Sequence, residues 1–93
     1  MFTIFVTYIA KDKITAENFY KEVEKSGIID ASRAEEGNIS YDYYLPADVD
    51  NELFLLERWV DKSAQAHHAT LGHFIKLSEI KSRYDVKTII KYE

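Results

Sequence analysis

The stretch WVDKSAQAHHATLGHF, from Trp59 to Phe74, holds the only tryptophan of the chain and all three of its histidines, His67, His68 and His73. An imidazole titrates near neutrality and can offer one nitrogen to a substrate while the other is anchored, so proton transfer and metal ligation are the two chemistries to weigh. Metal fits poorly. His68 and His73 are five residues apart, which is about 140° around a continuous helix, and only a redirection at Gly72 would bring them together. Zinc helices place histidines four apart, often with a glutamate between. Here the chain has no cysteine, and the carboxylate at hand is Asp61. No metal site is expected.

Nucleophilic catalysis lacks its parts as well, because no serine sits in a G-x-S-x-G elbow. Gly27, Gly37 and Gly72 are scattered rather than grouped into a phosphate-cradling loop, so no nucleotide cofactor is expected. What remains is acid–base chemistry, or binding, in a pocket between a sheet and its helices.

Strand alternation puts Leu53, Leu55, Glu57 and Trp59 on one face, with Phe54, Leu56, Arg58 and Val60 on the other. A glutamate inside an apolar strand needs a partner when buried. The expected partner is His68 on the covering helix, which leaves one imidazole nitrogen free to act as the base. The same pair would equally serve as a satisfied polar contact that closes the core. His67 points about 100° away from its neighbour and is expected in solvent or at a subunit rim. The expected pocket takes His68 as catalytic residue, with Trp59, Glu57, Leu55, His73, Tyr41 and Tyr43 binding the substrate.

Four β-rich stretches must position these groups: Phe2 to Ile9, Ile39 to Leu45, Leu53 to Val60 and Val86 to Tyr92. Pro46 lies in a polar connection between the second and third. Thr15 is the expected N-cap of a helix carrying Phe19 and Val23, which Gly27 breaks or bends before Ile28 and Ile29. Asp61 or Ser63 caps a second helix through His68. Gly72 interrupts, and Phe74, Leu77 and Ile80 mark a third. The order β-α-β-β-α-β predicts an α+β, ferredoxin-like antiparallel sheet with helices on one face, as one domain over residues 1–93. The run Leu53 to Leu56 is apolar on both faces, and no unassigned segment is left to cover the second. A homodimer with two sheets face to face is expected.

Twelve basic residues stand against 16 acidic ones. No basic stripe interleaves with the aromatics, so no nucleic-acid partner is expected. The apolar start is too short for a membrane span and lacks a basic leader, so no membrane partner and a cytoplasmic location are expected.

The segments SRAEEGNISYDYY and LFLLERWVDKSAQAHHATLGHF together resemble the antibiotic biosynthesis monooxygenase (ABM) family. The residues that carry this are Arg33, Glu35 and Gly37 entering the second strand, Glu57, Trp59 and Asp61 ending the third, and His68 followed five residues later by His73. The resemblance implies a dimeric α+β barrel. It also implies a cofactor-independent monooxygenase that oxidises a small quinol-like or phenolic aromatic with molecular oxygen, the electrons coming from the substrate. The chain departs from the family pattern at Gly72 (commonly proline), Gln65 (commonly leucine) and Asn38 (frequently cysteine). The first strand has no asparagine and no histidine follows His73, so the haem-degrading branch does not fit. The alternative is a non-oxygenase member, either an isomerase of a small phosphorylated dicarbonyl or a ligand-binding module. The isomerase would need a pocket cation, and Arg58 is expected to face away.

Overall fold

Two aspartates start two of the helices. Asp12 and Asp61 are both extended, and the carboxylate of each accepts the backbone N–H three residues on, from Thr15 and from Ala64, at 2.8 Å. Each bond satisfies a donor that the first helical turn leaves free. The N-cap of the first helix is thus Asp12 rather than Thr15, which donates to it.

The computed structural model describes residues 1–93. In chain order the elements are β1 (Phe2–Ile9), α1 (Lys13–Lys25), α2 (Ile28–Arg33), β2 (Asn38–Tyr44), β3 (Glu52–Trp59), α3 (Lys62–His68), α4 (Gly72–Arg83) and β4 (Lys87–Tyr92). Gly27 separates α1 from α2, and its φ of 84° is a left-handed conformation that glycine adopts without penalty. Gly72 is the first residue of α4 rather than a loop residue.

The four strands form one sheet in the order β2-β3-β1-β4, and every neighbouring pair is antiparallel. This is the α+β ferredoxin-like arrangement that the element order predicts. The register sets Tyr41, Glu57, Ile4 and Tyr92 in one row across the sheet, with Tyr43, Leu55, Val6 and Ile90 in the next row on the same face. Burial alternates along β3, with Leu53, Leu55, Glu57 and Trp59 buried and Phe54, Leu56 and Arg58 only half-buried. The helices cover the first face, where Phe19, Val23, Ile28, Leu77 and Ile80 join the strand residues in the core. On the other face Phe5 stacks on Phe54 with ring centroids 6.2 Å apart, and Ile89 and Tyr44 are exposed.

One glycine is required by packing. A Cβ on Gly37 would stand 2.4 Å from Cβ of Ala64, so α3 rests directly on the turn that enters β2. No helix is long and apolar enough to cross a membrane.

Candidate functional site

Glu57 faces the helices from the middle of β3 and is 7% exposed. The indole Nε1–H of Trp59 donates to its Oε1 across 3.1 Å. Burial still dominates, and the Glu57 carboxyl is pushed up to about 7 despite the bond from Trp59. At neutral pH this group is balanced between accepting and giving up a proton.

His68 does not pair with Glu57. Its Nδ1 lies 2.5 Å from Oε2 of Glu35, and Nε2 of His73 lies 2.7 Å from the same oxygen. The reason is the break between α3 and α4. Backbone bonds from Thr70 and Leu71 back to His67 and His68 close a turn, after which α4 starts in a new direction. The angular mismatch of a continuous helix therefore does not apply, and His73 returns to meet His68 with ring centroids 5.5 Å apart. Glu35 comes from the turn between α2 and β2, which the Gly37–Ala64 contact holds against α3. Burial lowers the His68 pKa, and the bond to Glu35 opposes that shift. His67 is exposed and lines an open cleft with Glu35, Glu36, Asp61 and Ser63.

A cavity of about 180 Å³ lies between the β1–β4 side of the sheet and helix α4. Ile4, Val6, Tyr8, Glu57 and Ile90 line its floor, and Gln65, Phe74, Leu77 and Lys81 its roof. Of the residues expected to bind substrate, Glu57 is the one in this wall. Trp59 and Leu55 are completely buried, and Tyr41 nearly so. Trp59 and His68 are one contact removed from the cavity: Trp59 through its bond to Glu57, His68 through Phe74, whose ring meets the imidazole edge-on at 5.4 Å. Trp59 and His68 lie against each other at 4.6 Å, and Tyr41 reaches the same imidazole at 5.9 Å. Tyr43 lines a separate apolar cavity with Tyr20, Tyr44, Leu45 and Leu53 at the β2 side.

The sequence reading missed Lys81, whose ammonium sits 5.5 Å over the Tyr8 ring and 3.2 Å from Oγ1 of Thr88. Burial lowers its pKa. The signal was its place one turn after Leu77 on the inward side of α4. In the sequence, Glu35 stands out only as part of the entry to the second strand. Nothing in its spacing connects it to histidines more than 30 residues away.

A family model described as Antibiotic biosynthesis monooxygenase matches residues 15–79, which include Glu35, Glu57, Trp59, His68 and His73. A Bacillus subtilis (strain 168) protein named "Putative monooxygenase YcnE" is 34% identical over 67 residues, covering 72% of this chain and 68% of that protein. Among solved structures, one described as a "putative antibiotic biosynthesis monooxygenase" from Deinococcus radiodurans superposes with a TM-score of 0.87 at 18% identity, covering 100% of this chain and 90% of that one. A conserved protein from Methanosarcina mazei Go1 gives a TM-score of 0.79 at 26% identity, covering 100% of this chain and 92% of that one. The chain belongs to the antibiotic biosynthesis monooxygenase family.

Proposed function

We propose that the protein is a cofactor-independent monooxygenase acting on a small quinol-like or phenolic aromatic, with Glu57 as the group that takes the phenolic proton. The observation that carries this reading is a carboxyl balanced near neutrality in the wall of a small, largely apolar cavity. A general base works best when its pKa lies close to the working pH. Lys81 supplies a cation in the same wall, which favours the phenolate once it forms. The electron-rich ring then reduces molecular oxygen. One oxygen atom enters the ring, the other leaves as water, and all the electrons come from the substrate as it becomes a quinone.

The sequence reading gave the base to His68. Its position one contact behind the cavity supports a positioning role instead, holding Trp59 against Glu57. Two sheets packed through Phe5, Phe54, Leu56 and Ile89 complete the proposal as a homodimer, because an uncovered apolar face of this kind invites association.

Lys81 also favours a second reading, an isomerase of a small phosphorylated dicarbonyl, since it is the pocket cation that Arg58 could not supply. Oxygen uptake measured against a panel of simple quinols and naphthols separates the two. The expected result is uptake above the uncatalysed rate, with one oxygen consumed per quinone formed. No uptake with any of them, together with a thermal shift on adding small sugar phosphates, would replace the first reading with the second.

A further inference from the structure

We propose that Glu35, His68 and His73 form a binding site for a divalent cation of the zinc class, separate from the cavity. Nδ1 of His68, Nε2 of His73 and a carboxylate oxygen of Glu35 all lie within 4.8 Å of one another. Two imidazoles and one carboxylate, with a remaining position for water, are a donor set that zinc accepts. Both histidines converge on Oε2, at 2.5 and 2.7 Å, while Oε1 is sealed from solvent with no hydrogen-bond partner. The Glu35 side chain is only 10% exposed. A buried carboxylate oxygen without a partner is unusual in a native fold. A cation held by both oxygens of this carboxylate would give Oε1 the partner it lacks.

The geometry needs little adjustment. Donor atoms around a tetrahedral zinc at ordinary bond lengths stand about 3.3 Å apart, so the two contacts to Oε2 must open by less than about 1 Å, while the two ring nitrogens, within 4.8 Å of each other, draw in to match. His73 can provide this, because it stands in the first turn of α4 with its side chain 18% exposed rather than sealed. Entry is through the open cleft that Glu35 shares with Glu36, Asp61 and His67, where the carboxylates attract a cation. Bound there, the ion would tie the turn before β2 to both halves of the broken helix pair.

The proposal does not depend on the monooxygenase reading, and its test reads binding rather than turnover. Zn²⁺ and Co²⁺ are titrated separately into the metal-free full chain, followed by calorimetry and by the fluorescence of Trp59. That indole lies 4.6 Å from the His68 ring, so paramagnetic Co²⁺ at this site must quench it. The expected result is one ion per chain, quenching by Co²⁺, a higher melting temperature with Zn²⁺, and affinity lost by more than about tenfold in Glu35→Gln and in His73→Ala. His67→Ala should bind as the parent does. Binding that disappears with His67→Ala but survives Glu35→Gln would place the ion on the surface and overturn the proposal, as would no binding at all. If either site variant fails to fold, modification of the parent chain by diethyl pyrocarbonate decides the matter. Zn²⁺ must protect His73 and leave His67 reactive, and equal reactivity at both overturns the proposal.

Discussion

The indole N–H of Trp59 bonds to the carboxylate of Glu57 two residues back on the same strand face, with Nε1 and Oε1 3.1 Å apart. A strand repeats its side-chain direction every two residues, so both groups point into the core and must satisfy each other there. The tryptophan fixes one oxygen of Glu57 and leaves the carboxyl facing the cavity. Trp59→Phe should therefore keep the fold but free Glu57 to reorient. Losing the bond that stabilises its charged form should also raise its pKa further, seen as an upward shift in the pH profile of kcat/KM.

Glu57 itself gives a signed stability prediction. Its folded pKa of about 7 is above the ordinary value of 4.5, so between these values the folded chain binds more protons than the unfolded one. Stability from this group is full below about pH 4.5 and falls as pH rises through 7. The difference corresponds to roughly 3 kcal/mol. Glu57→Gln, which keeps an acceptor for Trp59, should be more stable than the parent at pH 8 and closer to it at pH 5. Urea denaturation at the two pH values measures this.

The same variant tests catalysis. If Glu57 takes the proton, kcat/KM for a phenol should rise with pH through about 7, and Glu57→Gln should lower turnover by about 10²-fold or more. His68→Ala should mainly lower the melting temperature, since it opens space beside Trp59 and removes a partner of Glu35. His67→Ala should change neither. A turnover loss confined to His68→Ala would return the base to the histidine.

Gly37 offers a test of how the site is held together. Gly37→Ala brings a Cβ against Ala64 and should cost about 1–3 kcal/mol by overpacking. Ala64→Gly in the same chain should recover most of that loss, and a double-mutant cycle of denaturation measurements reads the coupling directly.

The outer face of the sheet predicts assembly. Sedimentation should give twice the chain mass. Phe54→Lys, which breaks the Phe5–Phe54 stack at the centre of that face, should shift the protein towards the monomer.

Much of the fold was legible in the sequence, because strands and helices are fixed by patterns a few residues long. The alternation in ELFLLERW set the buried face of β3, and Asp61 set the start of α3 through a bond to a residue only three positions away. The order of elements then left one economical way to pack them. The partners within the site were not legible in this way. Glu57 and His68 looked matched because each needed a partner, yet a neighbouring indole satisfied the first and a distant glutamate the second. His68 and His73 looked divergent on a continuous helix, and the turn at Ala69–Leu71 brought them together. Periodicity determines which face a residue occupies. Only the tertiary structure decides which groups from separate turns arrive at the same point, because that depends on where each helix begins and what its neighbours allow.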